Sequence, residues 1–175
     1  MRIRSLLFAA VAAMLPATSW AGPERVDFPA GYRDAFVEYL RVDRPDRKTT
    51  RFFYVDPESL AAAEPGRELP QGTVLIMEDH KVVMNGDKPA LNAEGRHRPT
   101  DEVTNVFVME KRPGWGAEYP LETRNGDWDY AWFEADGSRK QGDFVRFTGC
   151  FSCHMNRANR DFTFTFFKYL LDTKG

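Results

Sequence analysis

The sequence contains few of the residues that usually carry chemistry, with two cysteines and three histidines among 175 residues. It also lacks an excess of one charge, because 24 Lys and Arg residues are balanced by 26 Asp and Glu residues. Acidic and basic residues alternate without long blocks, which predicts no nucleic-acid partner and no anionic membrane surface as a partner. After residue 21, no apolar run approaches the about 20 residues that a membrane-spanning helix needs.

The apolar residues near the N-terminus have the pattern of an export signal. Two arginines precede the apolar core Leu6–Leu15, and residues 19–21 read small-x-small, as at a cleavage site. We expect residues 1–21 to be a signal peptide and the mature protein, residues 22–175, to be periplasmic, with no membrane span after cleavage. The length of the mature chain suits one domain with its own hydrophobic core.

The sequence pattern predicts more strands than helices, and the predicted fold class is α+β, mainly antiparallel β-sheet with a few helices. Alternating or β-branched and aromatic residues predict strands at four places, residues 51–55, 73–78, 103–110 and 128–133. Residues 31–41 have apolar side chains at helical spacing, and Asp56-Pro57 can begin a short helix that ends near Ala63.

Three other segments complete the pattern. Residues 85–100 contain two glycines and two prolines and are predicted to form a surface loop. Asp136-Gly137 suits a tight turn after the last predicted strand. Residues 161–171 alternate like a strand at first and look helical at the end, so both structures stay open.

Both cysteines lie in one motif, Cys150-Phe151-Ser152-Cys153-His154. C-x-x-C-H is the attachment signature of a c-type haem. Two thiols three positions apart can each bond a haem vinyl group, and the adjacent imidazole then becomes the proximal iron ligand. The motif therefore predicts one covalently bound haem c on Cys150 and Cys153, with His154 on the iron.

A redox dithiol, a disulfide or half of a zinc site are the alternatives for this motif. A redox pair usually lies early in its domain, near a βαβ unit, whereas this pair lies near the C-terminus. A zinc site needs four ligands, and no further Cys or close His follows. The position of the motif, behind several strands, also argues against the helical cytochromes c and the four-helix cytochrome c′ bundle.

Several short segments, in the same order along the chain, resemble the cytochrome P-460 family, which includes the β-sheet cytochromes c′. The segments are Phe28-Pro29-x-Gly31-Tyr32-Arg33, Tyr54-Val55-Asp56-Pro57, Leu69-Pro70-Gln71-Gly72-Thr73-Val74-Leu75, Trp132-Phe133-Glu134, the haem motif, and Arg160-Asp161-Phe162-Thr163-Phe164. The resemblance implies a compact β domain, often a homodimer, with one c-type haem, a proximal His154 and an open opposite iron face.

The resemblance also implies one of two functions. Some members oxidise hydroxylamine and carry an extra bond from a lysine to the haem, whereas others bind small gases such as nitric oxide beneath aromatic residues. Such a lysine is expected in the N-terminal half, where Lys48, Lys81 and Lys88 lie. Lys81, which directly follows the strand residues 73–80, is the best single candidate, and Glu78 is the candidate proton acceptor. Each also has a simple structural explanation, since both lie near a strand end where charged groups are usually solvated.

The predicted function is therefore that of a periplasmic mono-haem cytochrome with five-coordinate iron. In the first hypothesis, it oxidises hydroxylamine or nitric oxide and passes electrons to a partner cytochrome. In the alternative, it binds nitric oxide or carbon monoxide, or transfers electrons, without turnover. The candidates for a sixth iron ligand are His80, His97, Met77, Met84 and Met109, although an exposed position for His97 and core positions for the methionines are the simpler expectations.

Overall fold

The computed structural model describes residues 25–140 and 149–175. The expected signal peptide, residues 1–21, lies outside these residues. None of the helices in the two described segments combines the length and the hydropathy that crossing a bilayer requires.

Seven strands and four α-helices are found in the described residues. The strands are β1 (Val37–Arg44), β2 (Thr49–Val55), β3 (Val74–Val82), β4 (Met84–Asn85), β5 (Lys88–Pro89), β6 (Pro99–Lys111) and β7 (Trp128–Phe133). The helices are α1 (Tyr32–Ala35), α2 (Pro57–Ala62), α3 (Ser152–Met155) and α4 (Phe166–Lys174), with 3-10 turns at Trp115–Glu118 and Ala158–Arg160. The larger sheet is antiparallel and has the order β1-β2-β3-β6-β7, and β4 and β5 form a separate hairpin. The predicted fold class is thus confirmed.

The four predicted strands are confirmed as β2, β3, β6 and β7, and the helix after Asp56 is confirmed as α2. The Asp56 carboxylate caps this helix by accepting a hydrogen bond from the Ser59 backbone N–H at 2.7 Å. The open segment 161–171 becomes a turn followed by α4. The expected surface loop at residues 85–100 is found only in part, since this segment also contains the end of β4, all of β5, a bridge between Leu91 and His97 and the first two residues of β6.

The predicted helix at 31–41 is wrong beyond Ala35, because residues 37–44 form the edge strand β1. This strand pairs with β2 from Val37↔Val55 onward. Tyr39 packs its ring on Phe53 and Phe166, at centroid distances of 6.0 and 5.1 Å. Pairing with β2 and packing on two distant segments therefore outweigh the local helical spacing.

Alternation along the strands gives the sheet two apolar faces. On the motif face, Val55, Leu75, Met109 and Tyr130 pack against the segment of the haem motif and α4. On the N-terminal face, the intervening residues of the same strands pack against Val26 and Tyr32 from the start of the domain.

The motif face carries two further rows of residues that are paired across the strands. The aromatic row consists of Phe53, Met77, Phe107 and Trp132, one residue from each of β2, β3, β6 and β7. The polar row lies one step further from the haem motif and consists of Arg51, Asp79 and Asn105. Both rows therefore lie on the same face of the sheet as the residues that pack against the haem motif.

Candidate functional site

Phe151 anchors the cysteine motif on the sheet. Its ring is buried, with its centroid 4.7 Å from that of Tyr119 and 4.9 Å from that of Tyr130. The Asn125 side-chain amide donates hydrogen bonds to the Phe151 carbonyl at 3.0 Å and to the Tyr130 hydroxyl at 2.9 Å. The motif is therefore held against the motif face of the sheet through both its side chain and its backbone.

The two cysteines differ in their surroundings. Cys150 is half-buried, whereas Cys153 is exposed. Burial, together with smaller contributions from the negative charges of Cys153 and Asp129, raises the pKa of the Cys150 thiol to about 11. A redox-active cysteine normally has a depressed pKa, so this thiol lacks the usual property of a thioredoxin-like nucleophile.

The His154 imidazole is oriented by the chain that follows the motif. Its Nδ1 lies 2.6 Å from the Phe162 carbonyl oxygen, and since a carbonyl can only accept, Nδ1 carries the proton. The lone pair then resides on Nε2, which is the arrangement of a metal-binding histidine. Burial lowers the pKa of His154, and the Arg157 charge lowers it further, so the neutral form that binds metal is favoured.

Aromatic rings and one guanidinium surround this imidazole. Tyr130 and Phe164 lie at centroid distances of 4.8 and 5.0 Å from His154, and the Phe164 ring is edge-on. The Arg157 guanidinium lies 4.6 Å from the centre of the Phe164 ring. Within the described residues, its buried Nε has no hydrogen-bond partner. An unpaired guanidinium nitrogen beside an apolar wall suits the carboxylate of a bound group.

The aromatic row continues the surface that begins at Tyr130. Phe107 and Trp132 stack with their centroids 5.0 Å apart and their planes at 29°, and both are half-buried, as is Met77. Flat apolar side chains of this kind can pack against a planar macrocycle. Cysteines, an oriented imidazole, an apolar surface and an unpaired guanidinium nitrogen thus all fit a haem.

The polar row borders the aromatic row, and sequence reasoning missed two groups in or beside it, Asp79 and Lys140. Arg51 Nε donates to Asp79 Oδ1 at 2.7 Å, and Trp132 Nε1 donates to Asn105 Oδ1 at 2.9 Å. The Lys140 ammonium also donates to Asn105, at 3.1 Å, and lies 4.6 Å from the centre of the Trp132 ring. The sequence pattern could have identified Asp79, since this residue lies two positions after Met77 in the same strand and therefore shares its face. The position of Lys140 beside Asn105 and Trp132 could be found only from the tertiary structure.

Glu78, the predicted proton acceptor, lies on the N-terminal face and not on the face of His154. It is fully buried and accepts hydrogen bonds from Tyr54 at 2.7 Å, from Arg33 at 2.8 and 3.0 Å, and from Tyr32. His80 Nε2 lies 2.7 Å from the same carboxylate. The structure therefore brings Glu78 into a buried polar cluster on the side of the sheet opposite the haem motif.

Lys81, the predicted cross-linking lysine, is exposed at the far end of β3, where its ammonium lies 2.5 Å from the Glu102 carboxylate. Of the histidines considered as a sixth ligand, His80 belongs to the Glu78 cluster and His97 is buried beside the Thr49 carbonyl. His97 is thus buried rather than exposed as expected. Met77 is the candidate sixth ligand that lies in the aromatic row.

An antiparallel sheet that carries a C-x-x-C-H motif with its histidine oriented for metal binding defines a β-sheet cytochrome. The sequence model of the Cytochrome P460 family matches residues 29–165, which is most of the chain. The protein therefore belongs to the cytochrome P460 family and is a haem-binding cytochrome. No curated protein matches the chain with significant similarity.

Proposed function

We propose that this protein is an exported c-type cytochrome that binds a small diatomic ligand, nitric oxide or carbon monoxide, at five-coordinate haem iron. Cys150 and Cys153 hold the single haem covalently, and His154 is the proximal ligand. The bound haem supplies an iron centre for ligand binding and electron transfer. The mature domain is residues 22–175, it acts in the periplasm, and it forms a homodimer.

The observation that carries this proposal is the aromatic row beside the His154 site. Phe53, Phe107 and Trp132 offer no group that could bind iron. The Met77 thioether could bind it, and in this proposal Met77 stays off the iron and forms part of the apolar wall. An apolar surrounding of this kind favours uncharged diatomic ligands over charged ones, because a charge would lose its hydration without gaining a partner. Glu78, the carboxylate expected to assist oxidation, faces the other side of the sheet.

A second function, oxidation of hydroxylamine with electrons passed to a partner cytochrome, is favoured by the polar row. The Asp79 carboxylate is nearly completely buried and lies on the motif face, paired with Arg51 at 2.7 Å. A buried carboxylate on this face could accept protons from a bound amine, as expected earlier for Glu78. In this case a lysine linked to the haem, at Lys81 or at Lys140, accompanies the activity.

Changing both cysteines tests the covalent attachment. The haem is expected to separate from the Cys150→Ser/Cys153→Ser variant when the protein is denatured, because serine hydroxyls do not form the thioether bonds. Intact mass spectrometry measures this as the loss of the mass of one haem relative to the wild type. An additional haem–lysine bond in the wild type would appear as a macrocycle-linked lysine peptide, with a strongly red-shifted ferrous Soret band. An unchanged haem mass in the double variant would refute the attachment.

Gas titration of the ferrous protein tests the ligand-binding function. We expect carbon monoxide and nitric oxide to bind to the ferrous iron without displacing another ligand. The Phe107→Ala variant is expected to change the association rate of the gas several-fold, because it opens the aromatic row. Phe133→Leu, on the opposite face of the same pair of strands, is the matched control and should leave the rate unchanged. Turnover of hydroxylamine with an electron acceptor, together with a haem–lysine bond, would favour the second function instead.

A further inference from the structure

The carbonyl that orients His154 belongs to an unusual piece of backbone. Asp161 has φ 46° and ψ 44°, and Phe162 has φ 58°, so two successive non-glycine residues adopt the left-handed conformation. This conformation costs roughly 1–2 kcal/mol for an ordinary residue, and less for aspartate. Such a backbone persists only when the surrounding contacts hold it in place.

The Asp161 side chain provides these contacts. Its carboxylate is nearly completely buried and accepts hydrogen bonds from the Leu69 backbone N–H and from the Lys111 ammonium, both at 2.8 Å. Trp128 Nε1 donates to the other carboxylate oxygen at 3.3 Å. Asp161 therefore joins the turn after the haem motif to the end of β6, the start of β7 and the segment before β3.

Lys111 completes the arrangement. Its ammonium is buried, and it also donates to the Leu69 carbonyl at 3.0 Å. Glu68, the next acidic group, lies 3.8 Å away and is exposed. A buried cation with one buried carboxylate partner holds that carboxylate in one position, because separating the two would leave a buried charge unpaired.

We propose that Asp161, held by Lys111, is a positioning residue for the proximal histidine. By fixing the left-handed turn at 161–162, it keeps the Phe162 carbonyl at 2.6 Å from His154 Nδ1. The hydrogen bond on the second ring nitrogen fixes the tautomer and orientation of a metal-bound imidazole and increases its basicity. Asp161 thus sets the strength of the iron–histidine bond and the reduction potential of the haem. This inference rests on the proposed role of His154 as iron ligand.

The test replaces the buried pair by neutral groups of similar size. In Asp161→Asn/Lys111→Met, no buried charge remains unpaired, so the protein is expected to fold and bind haem. We expect a lower iron–histidine stretching frequency by resonance Raman spectroscopy of the ferrous protein, and a higher midpoint potential, because the weaker hydrogen bond makes His154 a poorer donor. Glu68→Gln, next to the same ammonium but exposed, is the matched control and should leave both values unchanged.

Each outcome decides the inference. A folded double variant with the wild-type frequency and potential would overturn it. If the double variant does not fold by circular dichroism, Trp128→Phe, which removes one donor to Asp161, replaces it and must shift the frequency in the same direction. Failure of the proposed function has a different signature, since wild-type protein without an iron–histidine band would show that His154 is not the ligand at all.

Discussion

Replacing His154 with glycine is expected to abolish the iron–histidine band of the ferrous protein and to change its optical spectrum. The lone pair of the imidazole lies on Nε2, because Nδ1 donates its proton to the Phe162 carbonyl. In the proposed function, removing this imidazole removes the proximal protein ligand of the iron, which is the largest single change available at the site. Resonance Raman and optical spectroscopy of the reduced protein measure the loss, and added imidazole should restore much of the band by occupying the vacated space.

A second histidine provides the control for this experiment. His97 is also buried, and its Nδ1 lies 3.2 Å from the Thr49 carbonyl. Since it belongs to neither the haem motif nor the aromatic row, His97→Gln should keep the wild-type spectrum. A His154→Gly variant with normal five-coordinate ferrous spectra would refute the ligand assignment.

Replacing Glu78 with alanine is expected to destabilise the fold by about 3–5 kcal/mol, the range for removing one partner of a buried ion pair. The carboxylate is fully buried and accepts hydrogen bonds from Tyr54 and Arg33, with His80 at 2.7 Å. Its loss leaves these groups without their acceptor. Water can replace the lost hydrogen bonds only at Arg33, whose side chain is half-exposed. Urea unfolding measures the difference in free energy.

The matched control is Glu102→Ala, which removes an exposed carboxylate from a pair with Lys81 at 2.5 Å. An exposed pair contributes at most about 1 kcal/mol, so this variant should be nearly as stable as the wild type. The conservative Glu78→Gln variant also separates the two faces of the sheet, since its gas affinity and ferrous spectrum should not change. A changed gas affinity would instead favour the role of Glu78 at the iron that the sequence suggested.

The Glu78 cluster also makes stability depend on pH. Burial by itself would raise the pKa of Glu78, but hydrogen bonds from His80, Arg33 and the two tyrosines lower it to about 2. Its contribution is therefore present above the unfolded pKa of about 4.3 and is lost as the pH falls toward 2. Burial would lower the pKa of His80, but the bonds to Glu78 and to the Thr100 carbonyl raise it. Its contribution is present below about 6.5 and is lost as the pH rises through the folded pKa.

These opposite signs predict that the cluster contributes most between about pH 4.3 and 6.5. Unfolding curves of wild type and Glu78→Ala across pH 3 to 9 measure this as a stability difference that narrows at both ends. A constant difference over this range would contradict the assigned coupling of the two groups.

Local patterns predicted most strands correctly but not the first one. In β2, β3, β6 and β7, β-branched and aromatic residues recur over short runs, and the local pattern agrees with the pairing found. Residues 37–44 carry a helical spacing of apolar side chains, yet they form β1. The pairing of this segment with β2 and the ring contacts of Tyr39 with Phe53 and Phe166 decide its structure. Neither interaction can be recognised from the residues of the segment alone.

The candidate site was also predicted only in part from the sequence. Lys81 and Glu78 were chosen by their place near the end of a strand, but adjacent residues in a strand point to opposite faces. Which face of β3 carries the haem motif is decided by the packing of Phe151 and Phe166 on Leu75, Met109 and Tyr130. Asp79 and Met77 lie on that face, and Glu78 does not.

The sequence by itself predicted a haem cofactor and the motif proposed to attach it, because C-x-x-C-H places two thiols and an imidazole within five residues. It also determined the fold class and the resemblance to the family, since both rest on local patterns in a fixed order. Only the tertiary structure decided which distant residues support the imidazole, because Tyr130 reaches it from β7 and Asp161 is held by Lys111 and Trp128. It likewise decided that the Phe162 carbonyl accepts the proton of His154 Nδ1 and leaves the lone pair on Nε2, because that contact depends on a left-handed turn held by three other parts of the chain.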